Sequence, residues 1–195
     1  MNGTPMIGVL ALQGAFESHQ QRLTEIGALS RQVRTPRDLA GVDALVMPGG
    51  ESTTMSRLLA TSELFDPIAD RLGAGMPVFG TCAGMILLAV EVIDGRPDQR
   101  SFGAIDITVQ RNGYGRQLDS FETDLAVPEL GPDQSPFHGV FIRAPKVTRV
   151  GDDVDVLAAH DGVPVLLRQG PVTVASFHPE LAGDHRLHAQ FLNSF

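Results

Sequence analysis

Short apolar runs alternate with stretches of helical spacing through the first half of the chain, and this alternation limits the fold more than any other feature. Residues 7–12 read as a buried strand. Residues 15–26 then have helical spacing, closed by Gly27 as a C-cap. Strands are expected over 29–33 and 43–47, the latter stopped by Pro48-Gly49-Gly50. Ser52 can cap a helix running through Met55, Leu58 and Leu59. A helix over 64–72, a strand over 77–80 and a strongly apolar helix over 84–92 follow. Strands separated by helices imply βαβ units, hence an α/β fold with a parallel sheet.

The second half has another rhythm. Period-two alternation recurs at 104–109, 139–142, 154–158, 163–167 and 172–176, and helical spacing returns only at 184–195. Antiparallel strands added to the parallel sheet, or beside it, are expected. Residues 95–100 and 127–136 read as surface loops. With no repeat and no linker, the expectation is one domain over 1–195.

Composition excludes several classes of function. The net charge is −8, from 23 acidic and 15 basic residues, whereas nucleic-acid binding calls for a basic stripe. No run of about 20 apolar residues is present to span a membrane. The first residues show no basic region and no cleavage site, so no signal peptide is expected. Cys82 is the only cysteine, which excludes an internal disulfide and a cysteine-rich metal site and suits a reducing cytoplasm.

That cysteine lies in Gly80-Thr81-Cys82-Ala83-Gly84, between an apolar strand and an apolar helix. This is the nucleophile-elbow pattern in its required strand–turn–helix setting. A tight, strained turn needs small neighbours, the helix N-terminus favours a thiolate, and the Ala83 N–H is placed to stabilise an oxyanion. The alternative is a buried structural cysteine, the commoner fate of a free thiol. Both glycines and both flanks argue against it.

A thiol nucleophile needs a base, and six histidines compete. Phe177-His178-Pro179-Glu180 follows the apolar run 172–176, so His178 emerges at a strand end with a carboxylate two residues on. Alone, His-Pro-Glu is as compatible with a surface turn; with the elbow it completes a triad of Cys82, His178 and Glu180. His185 and His188 stand three apart on the last helix and lack further metal ligands, so they are expected to be solvated or capping. Pro48-Gly49-Gly50-Glu51-Ser52 exposes amides at a helix start, and Gly50 can supply the second oxyanion donor. A plain glycine-rich turn, or a phosphate loop without its lysine, is the other reading.

Together the elbow, the Pro-Gly-Gly loop and His178-x-Glu180 resemble the class I, triad-type glutamine amidotransferases. Further blocks are more specific. Gly8-Val9-Leu10-Ala11-Leu12-Gln13-Gly14, Pro48-Gly49-Gly50-Glu51-Ser52-Thr53-Thr54, Arg111-Asn112 with Gly115-Arg116-Gln117, Val140-Phe141-Ile142-Arg143-Ala144-Pro145 and Ser176-Phe177-His178-Pro179-Glu180-Leu181 are similar to the glutaminase subunits of pyridoxal 5'-phosphate synthase. Another triad amidotransferase, such as the glutaminase of histidine biosynthesis, would share the elbow and the base but not these blocks. A non-catalytic protein of the related cysteine-elbow fold would lack the His-Pro-Glu.

The resemblance implies a three-layer, flavodoxin-like α/β fold with a mixed, mostly parallel central sheet flanked by helices. It implies that Cys82 is nucleophile, His178 base and Glu180 orienting carboxylate in the hydrolysis of L-glutamine. Gly50, Glu51, Ser52, Arg111, Ile142 and Arg143 would line the glutamine pocket. Gly50 and Ala83 would form the oxyanion hole, and Gln13 would organise that region. The ammonia would pass to a (β/α)8 barrel synthase subunit in a hetero-oligomer, where pyridoxal phosphate forms, so this chain needs no cofactor and no metal. The chain departs from the family at Ser18, at Gly113-Tyr114 and in a last helix that stops early, at Phe195.

Overall fold

The computed structural model describes residues 4–113, 120–131 and 135–195. Tyr114 and the Gly115-Arg116-Gln117 block lie outside the described residues. In chain order the elements are β1 (Met6–Leu10), α1 (Phe16–Glu25), β2 (Leu29–Val33), α2 (Pro36–Leu39), β3 (Ala44–Met47), α3 (Ser52–Thr61), α4 (Phe65–Gly73), β4 (Val78–Thr81), α5 (Ala83–Leu88) and β5 (Ala89–Val92). They continue with β6 (Ile105–Gln110), β7 (Ser120–Leu125), β8 (Phe137–Ile142), β9 (Lys146–Val150), β10 (Asp155–His160), β11 (Val163–Gln169), β12 (Val172–Ala175) and α6 (Arg186–Leu192).

The central sheet has seven strands in the order β10-β11-β12-β4-β3-β1-β2. The run from β12 to β2 is parallel throughout, and β11 and β10 extend it antiparallel at one edge. Alternate residues of each strand face opposite sides, which divides the core in two. Leu10, Leu45, Met47, Val78 and Val174 pack against α3, α4 and α5. Ile7, Val9, Ala44, Val46 and Phe79 face α1, α6 and the β7–β8 hairpin. The second half therefore supplies both expected outcomes: strands that extend the sheet, and a separate sheet (β5-β6-β9) and hairpin (β7-β8) beside it.

Local chemistry sets several boundaries. Gly27, at φ 72°, ends α1: its N–H donates to the Thr24 carbonyl and that of Ala28 to the Leu23 carbonyl, pairing two otherwise orphaned acceptors. The cap of α3 is Glu51 rather than Ser52. Its carboxylate accepts from the Thr53 and Thr54 N–H groups, so Ser52 becomes the first helical residue. The apolar run 84–92 is helix only to Leu88. There the Phe102 and Ala104 N–H groups take the Leu87 and Leu88 carbonyls at 2.7 Å, and Ala89–Val92 continues as an edge strand paired to β6. A pairing partner some fifteen residues downstream in the chain, rather than a local breaker, ends that helix.

The elbow glycines are required by space. A Cβ on Gly84 would fall on the Met47 carbonyl oxygen, and one on Gly80 would meet Leu88 and the backbone of Gly84. Gly84→Ala must therefore part β3 from α5. It is expected to cost about 3 kcal/mol and to lower the melting temperature by about 6–12 °C. Thermal unfolding by circular dichroism checks this, and an unchanged midpoint would refute it.

Candidate active site

The C-terminal ends of four parallel strands converge on one place, as open α/β sheets generally arrange their ligand sites. After β1 comes Gln13, after β3 the Gly49–Gly50–Glu51 turn, after β4 Cys82, and after β12 His178. A cleft of about 250 Å3 opens there. Gln13, Gly50, Glu51, Ser52, Cys82 and His178 line it from the central sheet, and Arg111, Ile142 and Arg143 from the other strands. Every residue expected at the glutamine pocket is thus brought to the cleft. Ile86 and Asn112 also line it and were not anticipated. Ile86 is one more apolar residue of a helix read as core, and nothing local marks it out.

Cys82 holds a strained backbone, φ 49° and ψ −102°, a region that costs about 1–3 kcal/mol for a residue with a Cβ. The surroundings hold it there. Its N–H donates to the Ala175 carbonyl at 2.8 Å, and α5 behind it is buried along its whole length. Each large apolar side chain of that helix contributes about 1.5–3 kcal/mol on burial, which outweighs the strain. The Cys82 thiol lies 3.9 Å from the Ile142 carbonyl oxygen. Ala83 is the first residue of α5, so its N–H belongs to the turn that has no acceptor within the helix.

His178 is nearly buried, and its Nδ1 donates to Glu180 Oε1 at 2.7 Å. Its N–H is fixed by the Val140 carbonyl at 2.8 Å. Burial pulls the imidazole pKa down, but hydrogen bonds and charge from Cys82 and Glu180 outweigh it and push it up to about 10. Burial likewise works to raise the Glu180 pKa, and the neighbouring His19 and His178 more than offset it, so the carboxylate titrates below its usual range. The carboxylate stands behind the imidazole, at 2 % exposure, and does not line the cleft.

Gly49 is the residue that sequence reasoning overlooked beside its neighbour. A Cβ there would collide with the His178 ring and come within 3.2 Å of the Cys82 Cβ. Only Gly50 of the pair was singled out, because the closeness of His178 to this turn is set by the sheet order. At Gly50 a Cβ would run into the Gln13 carboxamide, whose Oε1 accepts from the Glu51 N–H at 3.0 Å. Gln13 therefore braces this turn. The Gly49 carbonyl oxygen accepts from Ala15 at 3.4 Å, at the start of α1.

Glu51 and Arg111 form a pair at the cleft wall, 2.8 Å apart. Partial burial raises the Glu51 pKa, yet hydrogen bonds from Thr54 and Thr53 overcome this and lower it to about 2. Asp94 anchors the turn that carries Arg111, accepting from the Arg111 N–H at 2.6 Å. On the opposite wall Arg143 is exposed and has φ 44°, a second strained side-chain-bearing residue at the site. His185 is exposed at the N-cap position of α6 and its side chain makes no cap hydrogen bond, so of the two expectations it meets the solvated one. His188 is instead completely buried, because the turn of α6 that carries it packs against α1 and Phe79.

Residues 9–195 match the SNO glutamine amidotransferase family. The chain is 56% identical over 190 residues to the pyridoxal 5'-phosphate synthase subunit PdxT of Mycobacteroides abscessus, covering 97% of each chain. It is 53% identical over 189 residues to the subunit of the same name from Frankia alni, covering 97% of this chain and 94% of that one. A crystal structure titled as a glutamine amidotransferase superposes with a TM-score of 0.90 at 47% identity, over 98% of both chains. A cysteine elbow facing a histidine–carboxylate pair, in a fold shared over nearly all its length with these proteins, makes this chain a member of the SNO glutamine amidotransferase family.

Proposed function

We propose that this protein is the glutaminase subunit of a pyridoxal 5'-phosphate synthase, hydrolysing L-glutamine to glutamate and ammonia for a synthase partner. One observation carries the reading: the sole thiol of the chain faces an imidazole that a buried carboxylate holds in place, on the floor of a cleft walled by a Glu–Arg pair. The family and the relatives' common name support the substrate and the pathway.

The Cys82 thiolate attacks the side-chain carboxamide carbon of glutamine. The amides of Ala83 and Gly50 stabilise the oxyanion, and Gln13 keeps the Gly50 turn in register. Protonated His178 gives its proton to the departing nitrogen, ammonia leaves, and a glutamyl thioester remains. His178, now neutral, takes a proton from water as that water attacks the thioester, which releases glutamate and restores the thiolate. Glu180 keeps the imidazole in the useful tautomer throughout. Arg111 takes the α-carboxylate of glutamine as a charge-assisted contact, with Glu51 and Ser52 beside it and Ile142 and Arg143 closing the far wall.

Ammonia protonates in open water and stops being a nucleophile, so it needs a sheltered route to its acceptor. The acceptor site belongs to a separate (β/α)8 barrel subunit, and the setting is the cytoplasm. Among the described residues no helix is long and apolar enough to cross a membrane. The reading makes the chain one glutaminase domain, without cofactor or metal of its own.

Ammonia release from glutamine, measured with and without the barrel subunit, tests this. Weak activity alone and much stronger activity in the complex are expected; equal turnover in both would refute partner control, and none in either would refute the activity. The pH profile gives a second check. The mechanism needs His178 protonated at the first step, and that form persists up to about pH 10. Activity of the complex should therefore hold from neutral pH into the alkaline range and fall only as His178 loses its proton. An alkaline limb near the pKa of a free imidazole, about 6.5, would contradict it.

A further inference from the structure

A second imidazole reaches the triad from behind. His19, on α1, is completely buried, as is His188 on α6. His19 Nε2 lies 3.3 Å from Glu180 Oε2 and 3.1 Å from Thr81 Oγ1, the residue that precedes the nucleophile. His19 Nδ1 lies 2.9 Å from His188 Nε2. The glutaminase reaction as written above uses neither histidine.

Proton positions follow from the partners. With its proton on Nε2, hydrogen-bonded to Thr81 Oγ1, His19 presents a positive N–H edge to Glu180 Oε2 at 3.3 Å; the contact lies outside hydrogen-bond geometry, and that buried oxygen has no hydrogen-bond partner among the described residues. The Nδ1 of His19 is then an acceptor, and His188 Nε2–H is its donor at 2.9 Å. His188 Nδ1 is consequently bare, and it is a buried nitrogen with no hydrogen-bond partner among the described residues. Burial lowers the pKa of both His19 and His188, which keeps the relay neutral. The carboxylate of Glu180 thus stands between two imidazoles: His178 on Oε1 at 2.7 Å, and His19 on Oε2.

We propose that His19 is a positioning residue of the glutaminase reaction, its N–H edge attracting the outer oxygen of Glu180 so that the carboxylate stays turned toward His178, with His188 fixing the tautomer of His19. The proposal rests on the glutaminase reading. It assigns a purpose to two buried imidazoles whose desolvation would otherwise be a pure cost. An unheld Glu180 could rotate about its last torsion and let the His178 ring turn, which changes rate more than substrate affinity.

The pH dependence has a definite sign. Glu180 faces His178 on one side and His19 of α1 on the other. Beyond His19 lie His188 and His185 of α6 and Arg22 of α1, and beyond His178 lies Cys82. Removing the His19 N–H edge leaves a buried carboxylate with less to stabilise its charge, so it takes up a proton at higher pH. Neutral Glu180 no longer supports protonated His178, and the reactive form of Cys82 is lost with it. The acid limb of Cys82 reactivity therefore moves to higher pH.

Two variants test this in the full-length chain, His19→Leu and His19→Gln, whose carboxamide nitrogen can stand where Nε2 stood. Cys82 is the only cysteine, so the rate of alkylation by iodoacetamide against pH reports on one sulfur. Glutaminase kinetics are measured in the complex with the synthase subunit. His19→Leu is expected to lower kcat about tenfold, with KM within about twofold, and to move the acid limb of alkylation upward. His19→Gln is expected to restore both towards the wild type. If His19→Leu fails to fold, His19→Asn, whose amide is too short to reach Glu180, takes its place with the same expectation. An active wild type whose variants keep the original limb and kcat, or whose glutamine and leucine variants shift alike, overturns the proposal. A wild-type complex that releases no glutamate would instead sink the glutaminase reading, and this proposal with it.

Discussion

With Cys82 replaced by alanine, glutamine hydrolysis by the synthase complex is expected to fall by at least about 10^4-fold. The chain has no other thiol, so no neighbouring sulfur can substitute. The loss should be confined to the first half-reaction. Alanine removes the strained residue's sulfur and keeps its Cβ, so the elbow, α5 and the cleft walls stay as they are. The complex should still assemble, and it should still make pyridoxal phosphate when ammonium salt replaces glutamine. Glutamate release by a coupled assay, pyridoxal phosphate absorbance under the two nitrogen sources, and co-elution of the subunits separate these effects. A Cys82→Ala protein that still releases glutamate would refute the thiol as nucleophile.

Gly49→Ala is expected to cost about 10^2–10^3-fold in kcat without unfolding the protein. The new Cβ would land on the His178 ring, 2.9 Å from Nδ1 by the nearer of its two nitrogens. That ring cannot step aside freely, because Nδ1 is tied to Glu180 at 2.7 Å and the backbone N–H to Val140. Moving the imidazole breaks its alignment with Cys82, and a misplacement of about 1 Å suffices for a hundredfold loss. Gly49 does not have a positive φ, so alanine meets no backbone strain there and fails for space alone. Steady-state kinetics of the complex, paired with a melting curve of the free subunit, check both halves. A variant with wild-type kcat would show that the ring has room to move.

Much of the site was legible because its signals are local. An elbow needs glycines two residues either side of the nucleophile, an apolar strand before and an apolar helix after, and all of these lie within about fifteen consecutive residues. The βα alternation of residues 6–92 is local in the same way. Glu51 was anticipated as a pocket residue, yet its capping of α3 was assigned to Ser52, since both side chains can cap and only the backbone angles choose. The β7 strand Ser-Phe-Glu-Thr-Asp-Leu escaped notice: its exposed face is polar, and its partner β8 lies well down the chain. Residues 84–92 misled for the opposite reason. A run apolar on every side reads as buried helix or buried strand alike, and a downstream strand taking the Leu87 and Leu88 carbonyls decided between them.

His19 and His188 mark where sequence reading ends. They are 169 residues apart, on two helices that each looked amphipathic and separate. His188 was expected to be solvated or capping and is buried, because α6 lays that turn on α1. By itself the sequence determined the cysteine elbow, the His178-Pro179-Glu180 turn after an apolar strand, the Pro-Gly-Gly loop and the parallel α/β core, since each depends on neighbours in the chain or on strand ends that a parallel sheet aligns. The tertiary structure alone decided that Gly49 must lack a side chain, that Glu51 faces Arg111, and that a second imidazole stands behind Glu180. Each of these depends on a contact between segments more than 50 residues apart, and contacts at that range leave no periodicity or spacing to read.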